Sequence, residues 1–451
     1  MHEVHIAIVG SGPSGLYVAD ALARKCSLAR IDLIDRLPTP FGLLRGGVAP
    51  DHQGTKNIAR QLERVLNREN VRFLGNVEIG RVASYAELKA LYDIVVVTIG
   101  ALDDRRMDIP GEDLDGVYGS GVFVAWYNGL PKARDLDPRL DGASLAIVGN
   151  GNVALDIARL LGKSAEELAT SDLCVHAREM LALASFSDIW LFGRRGPLEA
   201  GFTAAELAEL GQLERVAILV DAGQIPSRIP AELSGERGKL VEKNLEVLRG
   251  YATRGEQPEK PIRLHFLFNA APVALLGEGR VRKLRLERTR IENGRCVMTG
   301  ETEEIPVDTV ISAIGYRATP FPGLPFDQQR GIVANQQGRV EPGVYASGWC
   351  KRGPQGVIPA NRTDSLAVAE MILADLGQVQ EFCKPGGKEL DRLLVQRGVR
   401  VVDYSGWQKI NAAEVALGVA GGMPREKFTR VEEMLAAACA DGAGEWRGIV
   451  E

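Results

Sequence analysis

Two glycine-rich turns, each directly after a short apolar run, constrain this chain more than any other feature. The first is Gly10-Ser11-Gly12-Pro13-Ser14-Gly15, following Val4-His5-Ile6-Ala7-Ile8-Val9. The second, about 140 residues on, is Gly149-Asn150-Gly151-Asn152-Val153-Ala154, following Ser144-Leu145-Ala146-Ile147-Val148. An apolar strand, a glycine turn and a helical stretch in that order begin a βαβ unit whose helix N-terminus receives a pyrophosphate. Glycine alone is weaker evidence, because any tight packing turn between a strand and a helix asks for it. Two complete copies of the pattern predict an α/β fold with two Rossmann-like dinucleotide-binding domains. They also predict two dinucleotides, held at once or in turn.

The sequences after the two turns differ. Ile31-Asp32-Leu33-Ile34-Asp35 reads as the second strand of the first unit, and Asp35 lies 20 residues after Gly15. An acid at that distance accepts from a ribose hydroxyl. In the second unit the next strand, Ile189-Trp190-Leu191-Phe192, runs into Gly193-Arg194-Arg195-Gly196-Pro197. Guanidinium forks suit a 2′-phosphate, so NADP is favoured over NAD there; the bland alternative is a solvated charge pair. Ala154 in place of the third glycine is acceptable, because that position needs only to be small. Thr203-Ala204-Ala205-Glu206 has two readings: a capping box in which Glu206 closes onto its own helix, or a contact from Glu206 to the nicotinamide ribose.

With 451 residues the chain is long enough for two or three domains. A net charge of −5 argues against nucleic acid as a partner. The six cysteines (26, 174, 296, 350, 383 and 439) are scattered, with no Cys-x-x-Cys pair. Structural disulfides, zinc and iron–sulfur ligation are therefore not expected, nor a dithiol redox relay. No apolar run approaches the ~20 residues that span a bilayer. The first strand begins at about Val4, leaving no room for a targeting leader, so the cytoplasm is the expected location.

Asp93 to Ile99 and Asp308 to Ile314 are both acid-led apolar runs closing on glycine, and a Pro/Gly/Asp-rich stretch follows the first. These read as two crossings between domains. The expected division is 1–102 and 315–451 for the first dinucleotide-binding domain, with the NADP-binding domain, 103–314, inserted into it. Ser84-x-x-Glu87 and Thr429-x-x-Glu432 read as capping boxes, 236–252 and most of 386–451 as helical, and Arg263 to Gly300 as antiparallel strands.

Several longer segments resemble one family. They are Pro40-Phe41-Gly42-Leu43 with Gly47-Val48-Ala49-Pro50-Asp51-His52, Gly75-Asn76-Val77-Glu78-Ile79-Gly80 and Trp126-Tyr127-Asn128-Gly129-Leu130-Pro131. With them go Gly151-Asn152-Val153-Ala154-Leu155-Asp156, Gly193-Arg194-Arg195-Gly196-Pro197 and Ser347-Gly348-Trp349, followed by Lys351-Arg352-Gly353-Pro354 and Gly356-Val357-Ile358. In these segments the chain resembles the adrenodoxin reductase type of ferredoxin–NADP reductase, bacterial members included. The resemblance implies FAD in the first domain, with contacts at Ser14, Asp35, Leu43, Ile79, Trp349, Gly356, Val357 and Ile358 beside the Gly10, Gly12 and Gly15 turn. It implies NADP in the second, at Asn150, Gly151, Asn152, Val153, Arg194, Arg195, Glu206 and Gly356, and so moves Glu206 toward the functional reading. Asp35 departs from the family, which usually has the longer Glu there. Trp349 stands where many two-dinucleotide flavoproteins carry an aspartate, which sets the chain apart from disulfide reductases.

The expected activity is hydride transfer from NADPH to FAD and release of single electrons to a ferredoxin-like iron–sulfur protein. A cytochrome P450 or another oxygenase is one destination downstream. No nucleophile or metal is needed; the protein supplies orientation and water exclusion. His52 and Asp156 are the polar pair nominated for the chemistry, either aligning the domains or relaying a proton, against the alternative of two unrelated caps. Arg237, Lys239 and Lys243, with Lys351 and Arg352, are candidate docking cations for an acidic partner. Rival readings are an NADPH-dependent flavoenzyme acting on a small molecule or quinone, and a non-catalytic dinucleotide sensor.

Overall fold

A computed structural model describes residues 3–233, 235–255, 257–356, 358–378 and 383–440. The chain forms two compact units: 1–103 with 128–134 and 316–451, and 104–127 with 135–315. Residues 128–134 were expected inside a continuous second domain. They pack with the first unit, where Lys56 and Lys427 both donate to the buried Asn128 side chain at 3.3 Å. Nothing local in Asn128-Gly129-Leu130-Pro131 signals that return, since its partners are distant in sequence.

The first unit is built on a six-stranded sheet in the order Arg339–Glu341, Val344–Ala346, Ile94–Val97, Val4–Val9, Ala29–Ile34, Val71–Leu74. All pairings are parallel except that of the outermost strand, Arg339–Glu341. The central strands are buried on both faces, which is why Val4–Val9 and Ile94–Val97 read as near-continuous apolar runs rather than alternating ones. On one face, helix Pro13–Lys25 packs against Ile358–Leu376, and Tyr404–Ala420 joins the same core through Trp407, Ile410 and Ala413. The Ser84–Glu87 capping box is present, with Ser84 capping Glu87 N–H and Glu87 returning to Ser84 N–H at 2.7 Å. The second box is displaced by one residue. Glu433, not Glu432, takes the N–H groups of Thr429 and Arg430 at 3.1 and 3.0 Å, because the helix begins at Val431.

The second unit has a six-stranded, wholly parallel sheet in the order Val117–Gly119, Thr309–Ser312, Ser144–Val148, Asp188–Gly193, Ile262–Phe268, Val216–Val220. Ile262–Phe268 was expected among antiparallel strands, and the structure corrects this. Its Ile-x-Leu-x-Phe-x-Phe alternation suits either pairing, and only the neighbouring strands decide. Antiparallel pairing starts after it, in the three-stranded sheet Ala270–Leu276, Lys283–Glu292, Arg295–Pro306. That sheet shares a core with the parallel one through Leu275, Leu284, Leu286, Ala146 and Val310. Among the described residues, no helix is long and apolar enough to cross a membrane.

Candidate dinucleotide sites

The glycines of the first turn have separable reasons. Gly10 has φ +109°, and a Cβ there would lie 2.5 Å from the Thr98 carbonyl oxygen. A Cβ at Gly15 would lie 2.0 Å from the Gly10 oxygen, so the third position must be glycine for the helix to seat on the strand. Gly12 differs, since its Cβ would meet only the Gly42 Cα, at 3.9 Å. A forced turn, a forced packing glycine and an open glycine between them are what backbone approach to a pyrophosphate requires. Helix Pro13–Lys25 begins there with Pro in its first turn and no side-chain cap, so its free N–H groups face the same opening.

Asp35 holds this turn. Its Oδ2 accepts from the Ser11 N–H at 2.8 Å and the Ser11 hydroxyl at 2.5 Å, and its Oδ1 accepts from the Leu37 N–H at 3.0 Å. An ionised carboxylate has about four acceptor sites, so one on Oδ1 is left for a ribose hydroxyl. Ser14 is buried, and the Ser347-Gly348-Trp349 turn lies directly on it. Gly348 has φ +76°, and a Cβ there would come within 2.1 Å of Ser14 Oγ. Asp364 fixes this turn by accepting from the Gly348 N–H at 2.7 Å. Trp349 opens the helical turn Trp349–Arg352, and its Nε1 is buried with no hydrogen-bond partner. A buried donor left over is costly unless a ligand acceptor meets it; with the open Gly12, this fits a flavin dinucleotide. Leu43 is half-buried at the head of the Leu43–Gly46 helical turn, and Ile79 is buried in the core beside the sheet. Gly356 has φ +77° and precedes the helix that starts at Ile358. Val357 lies outside the described residues.

The second turn repeats the logic. Gly149 has φ +139° and a Cβ there would lie 2.3 Å from the Ala313 oxygen, whereas a Cβ at Gly151 would meet nothing within 4 Å. Ala154, the third position, is buried. Asn150 packs its amide on Gly193, where a Cβ would lie 1.6 Å from Asn150 Nδ2, and Asn150 Oδ1 is buried without a partner. Asn152 accepts from the Thr203 N–H at 2.8 Å, and Val153 is half-buried in the first turn of the helix Asn152–Gly162. Arg194 and Arg195 are both exposed, and neither is ion-paired among the described residues. Their backbone is held from the antiparallel sheet. The Arg194 carbonyl accepts from Thr289 Oγ1 at 2.8 Å and Cys296 Sγ at 3.0 Å, and the Arg195 carbonyl accepts from Asn269 N–H. Two free guanidinium groups, an open glycine and an unsatisfied amide oxygen fit a dinucleotide with an additional phosphate.

Glu206 only half follows its capping-box reading. Thr203 does cap the Glu206 N–H at 3.4 Å, but the Glu206 carboxylate turns instead to Arg159, 3.1 Å away. Arg159 is 1% exposed and also meets Asp156 at 2.8 Å and Glu209 at 3.3 Å. Its pull on Glu206 outweighs an exposed cap bond. His52 and Asp156 belong to different units. His52 precedes the helical turn Gln53–Lys56, while Asp156 is engaged by Arg159. The Lys351 and Arg352 half of the expected docking patch is corrected. Lys351 pairs with Asp364 at 2.7 Å and is mostly buried, and Arg352 donates to Asn361 at 2.6 Å and to the Gln355 carbonyl. Both brace the turn around Trp349. Arg237, Lys239 and Lys243 are exposed on helix Gly235–Ala252.

The profile of the pyridine nucleotide-disulphide oxidoreductases matches residues 4–188 and 265–363. NADPH-ferredoxin reductase FprA of Mycobacterium tuberculosis is 38% identical, over 96% of this chain and 99% of its own length. The mitochondrial NADPH:adrenodoxin oxidoreductases of Arabidopsis thaliana and Homo sapiens are each 40% identical, over 96% and 95% of this chain and 95% and 91% of theirs. The chain belongs to the adrenodoxin reductase type of ferredoxin–NADP reductase. Within that family, the structure of M. tuberculosis FprA in complex with NADPH superposes with a TM-score of 0.93 at 37% identity, covering 97% of this chain and all of that one. Sequence reasoning missed several residues that shape these family sites. Thr98, which follows the Ile94–Val97 strand and bonds the Val9 and Gly10 carbonyls at 3.0 and 2.7 Å, and Thr289 and Cys296 behind Arg194 all come from segments distant in sequence. Nothing local marks them. Gly193 had a signal, as a glycine heading Gly-Arg-Arg-Gly-Pro at a strand end.

Proposed function

We infer that this chain is an NADPH-dependent flavoprotein reductase that passes electrons to a ferredoxin- or adrenodoxin-like iron–sulfur protein. The observation that carries the assignment is the inequality of two otherwise matching turns. Both leave their middle glycine open, but only the second is followed by two exposed arginines that are unpaired among the described residues. The first turn, with Ser14, Asp35, Leu43, Ile79, Trp349 and the Gly356–Ile358 segment, is the FAD seat. The second, with Asn150 to Val153, Arg194, Arg195 and Glu206, is the NADPH seat.

FAD, when bound, accepts a hydride and returns its electrons singly, which is what couples a nicotinamide to a one-electron acceptor. The chain's own work is binding, orientation and exclusion of water. The uncapped N–H groups after Gly12 and Gly151 would hold the pyrophosphate oxygens. Arg194 and Arg195 would hold the 2′-phosphate by charge-assisted bonds and so favour NADPH over NADH. Trp349 Nε1 supplies a buried donor, held by the Asp364 clamp on its turn. His52 and Asp156 are proposed as the polar groups that tune the reaction. Cys350, near the Trp349 turn, is no thiolate: burial pushes its pKa up to about 12, so it stays protonated.

Arg237, Lys239 and Lys243 are the proposed docking cations, and a cytochrome P450 or other oxygenase is the proposed destination downstream. The proposed location is cytoplasmic. Anaerobic NADPH titration of the flavin spectrum, followed by addition of ferredoxins one at a time, tests the assignment. Bleaching by NADPH and catalytic ferredoxin reduction are expected. Reduction of dyes and quinones without any ferredoxin would overturn the partner, and a protein that binds no flavin would overturn the activity.

A further inference from the structure

The Phe41-Gly42 turn is held in an unfavourable backbone conformation. Phe41 has φ +79° and Gly42 φ +50°. A bulky residue at positive φ is strained and persists only where its surroundings over-determine it. Part of that constraint is the glycine-rich loop. Phe41 N–H donates to the Ser11 carbonyl at 3.0 Å, and a Cβ on Gly42 would come within 3.0 Å of the Gly12 Cα. The turn thus sits directly against the open glycine of the first dinucleotide seat.

The rest comes from the helix Tyr404–Ala420 in the C-terminal part of the chain. Trp407 and Glu414 are two turns apart and so share a face. The buried Phe41 ring meets Trp407 edge-on, 5.9 Å between centroids. Arg45, one turn along, lies over the same indole at 5.4 Å and grips Glu414 through both guanidinium nitrogens, at 2.8 and 2.5 Å. Glu414 is completely buried. It also accepts from Arg425 at 2.7 Å and from the Phe428 N–H at 3.0 Å. Burial pushes its carboxyl pKa up, but Arg45 and Arg425 outweigh this and hold it below the usual range. A buried, ionised acid shared between the Leu43–Gly46 turn and the C-terminal segment needs all of these partners in position.

We propose that the segment from Tyr404 to Phe428 is a clamp on the Phe41–Gly46 turn, with Glu414 as its positioning residue acting through Arg45, and that this clamp sets how tightly the first seat retains its flavin dinucleotide. The proposal rests on the FAD reading of the Gly10–Gly15 turn. It gives the C-terminal extension a role in cofactor retention rather than in docking or catalysis.

The test compares FAD release from three purified variants, followed as the rise of flavin fluorescence where circular dichroism shows each is folded. Arg45→Met and Glu414→Gln cut the link to the turn, and each is expected to speed release about ten-fold or more, the loss of a charged hydrogen bond of about 1.4 kcal/mol or above. Arg425→Met removes a partner of the same buried acid but leaves the Arg45 pair, so it is expected to lower the melting temperature with less than about three-fold faster release. A purely structural role would make the three indistinguishable, and that result, or unchanged release from Arg45→Met, overturns the clamp. If Glu414→Gln does not fold, the contrast of Arg45→Met with Arg425→Met decides alone. A native protein that takes up no FAD overturns the flavin reading, and the proposal with it. One that holds FAD no better than Arg45→Met overturns the clamp only.

Discussion

Asp35 holds Ser11 twice, by its backbone N–H at 2.8 Å and by its hydroxyl at 2.5 Å, so the acid at the end of the second strand is part of the glycine turn itself. This Asp ties down the loop that must stay open for a pyrophosphate.

Asp35→Ala removes three hydrogen bonds to the turn and its neighbour. Net losses of roughly 1.5–3 kcal/mol for a bond to a charged group predict at least a ten-fold weaker hold on FAD. Fluorescence titration of FAD binding measures this. Ser11→Ala, which keeps the backbone bond, is expected to lose less.

Arg194 and Arg195 are exposed and unpaired among the described residues, so replacing them leaves no buried charge behind. Arg194→Ala with Arg195→Ala is expected to raise KM for NADPH by roughly 100-fold, from two lost charge-assisted contacts. KM for NADH should stay within about two-fold, because it lacks the phosphate they grip. Equal losses for both nucleotides would remove the arginines from phosphate recognition.

Asp156 shares Arg159 with Glu206 and Glu209. Asp156→Asn leaves the buried Arg159 two carboxylates, so the expected loss of stability stays below the roughly 3–5 kcal/mol of a buried pair broken outright. A role in the reaction predicts several-fold lower kcat at saturating NADPH, with the pH profile displaced. A lowered melting temperature with unchanged kcat would assign Asp156 to the ion pair alone.

His265 stacks on Trp190, with ring centroids 3.9 Å apart, and places Nε2 2.7 Å from Asp188. Burial lowers its pKa, against the upward pull of Asp188. A folded-state pKa below the unfolded one means the neutral ring's contribution is present above about pH 6.5 and is lost as pH falls below it. Melting temperature should therefore fall more steeply between about pH 7 and pH 5 in the native protein than in His265→Gln. Parallel curves would exclude His265 as the source of that slope.

The sequence by itself determined that two βαβ units exist, where their glycine turns lie and how the turns differ. Those features rest on short-range chemistry: apolar runs that must be buried on both faces, a Gly15 forced by the Gly10 carbonyl five residues earlier, and arginines at a strand end. It also carried the family resemblance, because that resemblance lies in the same local segments. Tertiary structure alone decided which groups brace those turns. Asp35 reaching Ser11, Thr289 and Cys296 behind Arg194, Glu206 leaving its own cap for Arg159, and Glu414 gripping Arg45 across 369 positions all join residues that no local pattern connects. The same holds for Ile262–Phe268, whose alternation admits either pairing until the Asp188–Gly193 and Val216–Val220 strands flank it. A side chain's partner is set by which surfaces remain to be buried once the sheets have formed, and that choice is made in three dimensions.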